Sequence, residues 1–370
     1  MKVPIAVPTF GQAERDAALR PLTSGWVAQG PEVAAFEAEF CTYTGASHGV
    51  ACTSGTSALH LALAALEVGP GDDVIVPGFT WVACANVVEL LGARAVLCDV
   101  DPSTFNVRRS DVEAAWTSQT KAVMPVHLFG AMAPIDDIGD LCKRRGVAVV
   151  EDAACGLGTT LAGKHAGTFG AAGTFSFHPR KLITAGEGGI ITTNDPALAD
   201  RMRCLRNHGA EGLMQDGSGM ADFVRPAWNY RLTDIQGAVL RAQLGQVDTF
   251  VARRQAVAAA YDDAFAGLPL PRQTAAADSS HSFQSYVARS EHRDALAGFL
   301  LQRGIQTRQG THAIHLLGAY KERYSERALP GCLDAHRHSI ALPLYPTLRE
   351  EQVEHVIASV LAFYEDSAWR

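Results

Sequence analysis

The run AGTFSFH (residues 172–178) ends in Ser176 and His178, and the chain then passes through Arg180 and Lys181 into a glycine-rich turn and a second apolar run, GGIITT (188–193). A lysine so placed is either a solvated loop residue or an amine at the mouth of a sheet. In the second setting it can condense with a carbonyl as a Schiff base, provided it is shielded enough to shed its proton. His178 beside it is either a structural histidine or a contact to a cofactor or substrate phosphate. A further run, VAVVED (147–152), ends in Glu151 and Asp152, so a carboxylate emerges at the same edge, where open parallel sheets bind their ligands. Asp152 either caps the following turn or pairs with a protonated pyridine nitrogen and keeps such a ring electron-accepting.

In TSGTSALHLALAALEVG a strand-like run leads through Gly55, Thr56 and Ser57 into a helical pattern. Unpaired N–H groups at a helix start, two hydroxyls and a glycine that permits close approach make a phosphate site. Ser and Thr are also ordinary N-caps. No Gly-Lys-Ser/Thr follows, so this is not a Walker loop. In PGFTWVACAN, Trp81 follows another strand end and either packs in the core or offers its π-face to a flat ring. His127, in PVHLFG, ends one more run and reads as structural before functional.

Such groups need a sheet whose strand ends converge. From residue 48 the sequence alternates short β-branched runs with longer helical patterns, as in an α/β domain built on a mostly parallel sheet. Seven strands are predicted, at 48–54, 73–77, 93–100, 121–127, 147–152, 172–178 and 188–193. SALHLALAALEVG and IDDIGDLCKRRG have the apolar spacing of crossover helices, each closed by a glycine. A long helical stretch over 236–265 carries the predicted boundary between a large domain (1–245) and a small α+β domain (246–370). The latter contains strand-like FQSYVARS and SIALPLYP around helical RDALAGFLLQRG.

With 370 residues and 47% apolar content the chain can bury a large core. Thirty-two Lys and Arg against 39 Asp and Glu, with no basic run, leave no electrostatic footprint for nucleic acid. Eight scattered cysteines without a CxxC pair read as reduced and mostly buried, and no metal site is expected. No signal-peptide h-region or membrane-spanning run is present, so a cytoplasmic protein is expected.

SGWVAQGPEVAAFEAEF, SGTSAL, VIVPGFTWVACANV, PVHLFG, VEDAAC, GTFSFHPRKLITAGEGG and NYRLTDIQGAVLRAQL occur in that order over nearly the whole chain. This series resembles the DegT/DnrJ/EryC1/StrS family of sugar aminotransferases that use pyridoxal 5'-phosphate (PLP), within fold type I. The resemblance implies that Lys181 holds PLP as a Schiff base and Asp152 binds its pyridine nitrogen. It implies that Ser176, Thr56 and Ser57 hold the phosphate beside Gly55, and that Trp81 stacks on the ring. It also implies a homodimer in which Asn229 of NYR reaches the phosphate of the neighbouring subunit. Read from its residues alone, WNYRLTD is a turn with a helix N-cap at Thr233 or Asp234.

Two departures stand out. Many members of the family carry Gln or His where Cys155 stands, near the 3-hydroxyl of the cofactor. GIQTRQGTHAIHLLGAY replaces a Tyr- and Pro-rich substrate loop, with Arg308, His312 and His315 in a different setting. Arg308 could meet a diphosphate or the donor carboxylate; His178, Arg308 and His315 are the candidate substrate contacts. The resemblance implies ping-pong transfer from L-glutamate, through pyridoxamine 5'-phosphate (PMP), to a nucleotide-linked 4-keto-6-deoxy sugar. The same chemistry on a 3-keto sugar or keto-cyclitol is the alternative. Lys181 argues against the related sugar 3-dehydratases, which have histidine there, and the set Lys181, Asp152, Ser176 and Asn229 argues against a non-catalytic regulatory protein.

Overall fold

The computed structural model describes residues 1–211 and 221–365. The central sheet has seven strands: β1 (His48–Cys52), β2 (Asp73–Pro77), β3 (Arg94–Cys98), β4 (Thr120–Val123), β5 (Ala148–Asp152), β6 (Ala172–Ser176) and β7 (Gly189–Thr193). Their order is β1-β7-β6-β5-β4-β2-β3. The pairs β6/β5, β5/β4, β4/β2 and β2/β3 are parallel, and β7 runs antiparallel to both β6 and β1. Every residue of β2 and of β7 is buried, which is why these strands read as continuous apolar runs rather than alternating ones. The expected seven strands are all present, each within a few residues of its predicted bounds.

The described residues form twelve α-helices. They are α1 (Gln12–Ser24), α2 (Pro31–Thr44), α3 (Gly55–Ala65), α4 (Ala83–Leu90), α5 (Arg109–Ala115), α6 (Ile135–Arg145), α7 (Pro196–Arg206), α8 (Asp234–Leu244), α9 (Val247–Ala264), α10 (Arg293–Gln302), α11 (Pro330–His338) and α12 (Glu350–Glu365). Among the described residues no helix is long and apolar enough to cross a membrane. All eight cysteines are free, and six are buried.

Two helix ends depart from expectation. Helix α6 stops at Gly146 in the left-handed conformation, as its glycine predicts, but α3 stops before Gly69. There Glu67 takes a φ of 58°, its N–H bonds Ala64 O at 3.0 Å and the Val68 N–H bonds Leu63 O at 3.1 Å. This is the paired-hydrogen-bond stop of a Schellman motif, made without glycine. The stretch expected as one long helix is broken at Gly245–Gln246 into α8 and α9.

Thr233 is the N-cap of α8 and forms a capping box with Gln236. Asp234 serves a different helix: its carboxylate accepts from the N–H groups of Gly30, Glu32 and Val33 at 2.7, 3.1 and 3.0 Å, capping α2. The two candidate cap residues are thus divided between two helix starts, which fastens α8 to α2.

One hydrophobic core surrounds the central sheet. A second gathers Val257 and Tyr261 of α9, Leu296 and Leu300 of α10, Val356 and Phe363 of α12, and Val3 from the start of the chain. Within it, β8 (Tyr286–Arg289) pairs antiparallel with β9 (Ser339–Leu342). The segment between them returns to the first core through Ala313, Tyr320, Tyr324 and Cys332.

Candidate active site

Strands β1, β2, β5 and β6 all end at one edge of the sheet, and β7 begins there with Gly189 opposite Ser176 and Cys52. The connections leaving this edge wall a cavity of about 370 Å³, within the range usual for small-ligand sites. Gly55, Thr56, Trp81, Asp152, Cys155, Ser176, His178, Lys181 and Arg308 all line it. Lys181 and Asp152 therefore face the same space.

At the start of α3, Ser54 is the N-cap, and its hydroxyl accepts from the Ser57 N–H at 3.1 Å. The Ser57 hydroxyl lies 2.9 Å from both Thr53 Oγ1 and Ser54 Oγ and does not line the cavity. Of the two hydroxyls singled out in the sequence, Thr56 lines the cavity and Ser57 is spent on the cap. The first-turn N–H groups have no intrahelical partner, and no acidic residue occupies that turn. A Cβ at Gly55 would lie 2.7 Å from Ser176 Cβ. Only glycine lets the helix start sit against the end of β6, and so brings Thr56 and Ser176 to one place.

Side chains alternate across a strand, so Glu151 and Asp152 point to opposite faces. Glu151 is fully buried and accepts four hydrogen bonds: from His127 Nε2 at 2.9 Å and from the N–H groups of Gly167, Phe169 and Gly170, each at 2.7 Å. His127 Nδ1 accepts from the Ala133 N–H at 3.1 Å, so the ring proton sits on Nε2 and points at Glu151. His127 is thus structural: it and Glu151 strap the loop after β5 onto the sheet beneath Asp152. Asp152 itself is 5% exposed. Its Oδ1 accepts from the Ala154 N–H at 2.9 Å, a turn cap, and its Oδ2 accepts from the Cys84 thiol at 3.0 Å. The cap and the cavity-facing readings of Asp152 hold together.

Burial would push the Glu151 carboxyl up, but the hydrogen bond from His127, with those from the Gly170 and Gly167 N–H groups, holds it below its ordinary value. A carboxyl lowered on folding contributes stability above its unfolded pKa, about 4.3. That contribution is lost as pH falls through the folded value. Glu151→Gln is expected to cost about 2–4 kcal/mol at neutral pH and to weaken the acid dependence. Denaturant unfolding at pH 7 and below pH 4 checks both, and equal stabilities at pH 7 would rule the prediction out.

Lys181 follows β6 in a turn closed by its own N–H to His178 O at 2.8 Å, and its Nζ donates to Cys155 Sγ at 3.2 Å. Trp81 is 50% exposed on the cavity wall, with the Arg180 guanidinium 6.0 Å and the His312 ring 6.0 Å from its ring centre. Burial, then the charge of Arg180, holds His178 below its usual imidazole value, with smaller contributions from Lys181 and Arg308 against Glu187. Arg180 lines the cavity too, and the sequence reading passed over it although it adjoins Lys181. Thr80 and Cys84 were likewise missed, because nothing local marks a cysteine in an apolar run as the neighbour of a carboxylate 68 residues away, or the threonine before it as a partner of its thiol.

His315 is not among the cavity residues. Residues His312–Ala313 pair antiparallel with Phe79–Thr80, which sets His312 opposite Thr80 and beside Trp81. The chain then turns through a short 3-10 helix, Ile314–Leu316, and carries His315 away, with its Nδ1 enclosed and unpaired among the described residues. His312 lines the cavity in its place. Asn229 is exposed, lies outside its own cavity and pairs its backbone with Asn207.

The arrangement offers an amine for imine formation, a nearly buried carboxylate for a cationic ring nitrogen, a helix start for a phosphate and an indole for a flat ring. Comparison with known proteins agrees with that chemistry. Aminotransferase TlmJ from Streptoalloteichus hindustanus is 33% identical over 97% of this chain and 98% of that one, with a TM-score of 0.92. S. venezuelae DesV, solved with a ketimine intermediate, is 36% identical over 95% and 94% of the two chains, with a TM-score of 0.90. Spr1654 from Streptococcus pneumoniae, solved in PLP and PMP forms, is 29% identical, and its PLP form covers 99% of each chain with a TM-score of 0.93. The sequence pattern of one family spans residues 8–361, nearly all of the chain, and so the protein belongs to the DegT/DnrJ/EryC1/StrS aminotransferase family.

Proposed function

We propose that this PLP-dependent aminotransferase moves an amino group from L-glutamate to the ketone of a nucleotide-linked 4-keto-6-deoxy sugar. The observation that carries the reading is the convergence of Lys181 and Asp152 on one cavity that also holds Thr56, Ser176 and Trp81. The donor set suits PLP: the α3 start carries no acid, the absent side chain of Gly55 lets that helix start sit against Ser176, and the carboxylate is shielded.

When bound, PLP supplies an electron sink for the charge left on a donor carbon. Lys181 Nζ would anchor the cofactor and, as a free amine, would take and return the α-carbon proton of the donor. Asp152 would hold a proton on the ring nitrogen. The α3 N–H groups, Thr56 and Ser176 would bind the phosphate, Trp81 would cover the ring and Cys155 would be a neighbour of the 3-hydroxyl. His178 and Arg308 meet the substrate. Asn229, exposed outside its own cavity, would serve the site of a second copy in a homodimer. The boundary between a PLP-binding part and a smaller part falls at 245/246, where α8 gives way to α9, with residues 312–335 returning to the first core; residues 366–370 lie outside those described.

The test is to convert the purified protein to its PMP form with L-glutamate and offer a panel of nucleotide keto sugars. The expected result is return of the yellow PLP form with a 4-keto-6-deoxy sugar and release of an amino sugar. Recovery with a 3-keto sugar or keto-cyclitol alone would replace the substrate, and no bleaching with glutamate would remove the donor.

A further inference from the structure

We propose that Cys84 is a positioning residue, whose thiol fixes the Asp152 carboxylate for the cofactor's ring nitrogen through a weak hydrogen bond. The inference rests on the proposed role of Asp152 and goes beyond it. Cys84 is the second residue of α4, fully buried, and its Sγ lies 3.0 Å from Asp152 Oδ2. Thr80 Oγ1 stands 3.8 Å behind the sulfur. The buried thiols of Cys52 and Cys98 point at backbone carbonyls, Ser54 O and Val76 O. That of Cys84 points at the one cavity carboxylate that is almost enclosed.

The donor's chemistry matters here. Both oxygens of Asp152 are held, Oδ1 by the Ala154 N–H and Oδ2 by the thiol, so the plane of the carboxylate is set before any ligand arrives. A carboxylate held by strong donors loses proton affinity. A thiol is a weak donor, so it orients Oδ2 while withdrawing less charge from it than a hydroxyl or an N–H would. Burial, then the adjacent Asp152 charge, raises the Cys84 thiol well above its ordinary value, so the sulfur keeps its proton and stays a donor. Because α4 begins two residues after Trp81, and the Cys84 N–H bonds Trp81 O at 3.2 Å, the turn that presents the indole also sets the thiol.

The test compares wild type, Cys84→Ser and Cys84→Ala as PLP-loaded full-length proteins. The readout is the 15N resonance of PLP labelled at the ring nitrogen, followed against pH. The other charged and titratable groups of the cavity, Lys181, Arg180, Arg308 and Glu187, with Cys155, His178 and His312, are the same in all three. Serine is the stronger donor, so its ring proton should leave at lower pH than in wild type. Alanine removes the donor, so its ring proton should leave at higher pH, each by about half a pH unit or more. Melting temperatures of the PLP-free proteins separate this from packing.

Opposite displacements support the proposal. No displacement in either variant, equal displacement in one direction, or lost PLP binding that tracks a lower melting temperature in both would overturn it. Wild type that binds PLP while both variants behave like it sinks the Cys84 role alone. Wild type that fails to bind PLP sinks the functional reading and this inference with it.

Discussion

Lys181→Ala is expected to abolish turnover, by about 10⁴-fold or more in kcat, while leaving the fold intact. The side chain is partly buried and makes one side-chain hydrogen bond, to Cys155, so its removal should change stability by less than about 1 kcal/mol. No other cavity amine can replace it, since the neighbouring cations Arg180 and Arg308 are guanidinium groups that do not deprotonate to nucleophiles. Borohydride reduction followed by peptide mass mapping checks the chemistry directly. Wild type should carry PLP on the peptide containing residue 181, and the variant should carry none. A variant that retained either the adduct or appreciable turnover would remove Lys181 from its assigned place.

Asp152→Asn should be the next most damaging change. The substitution keeps the shape but removes a negative charge from a site only 5% exposed to solvent, where little water screens it. An amide cannot hold a proton on a ring nitrogen by charge, so the electron sink is weakened when the α-carbon proton leaves. A loss of about 10²–10³-fold in kcat is expected, by analogy with removal of a single preorganised electrostatic contact. The KM for glutamate should change far less, because the lost interaction acts mainly in the transition state. PLP should still bind through Lys181 and the α3 helix start. Steady-state kinetics on both half-reactions give the comparison, and a wild-type kcat in the Asn variant would contradict the assignment. The Cys84 variants perturb the same carboxylate more gently and in two directions, so the three measurements together report how basic that group is.

Much of this was legible in the linear order of residues. Fully buried strands such as β2 and β7 announce themselves as apolar runs because both faces are covered. The ends of β5 and β6 are marked by polar residues, Glu151–Asp152 and Ser176, that break those runs. Lys181, which lines the cavity, stood out in the sequence because a charged residue between two such runs is out of keeping with its surroundings. What misled was local chemistry with more than one outlet. Ser57 is a hydroxyl at a helix start, but Ser54 and Thr53 engage it. Gly69 is a plausible helix stop, but Glu67 adopts the left-handed conformation first.

The residue pattern settled which strands exist, that they pair into an α/β sheet, and which side chains cluster at strand ends, since periodicity and turn chemistry act over a few residues. The fold settled which distant groups meet. Cys84 reaches Asp152 because β2, followed by α4, lies two strands from β5, separated from it by β4. Asp234 caps α2 across some 200 positions because α8 packs on it. His312 rather than His315 reaches the cavity because two residues pair with Phe79–Thr80 before the chain turns. Each contact depends on strand order and register, and hydrophobic spacing along a chain carries no record of either.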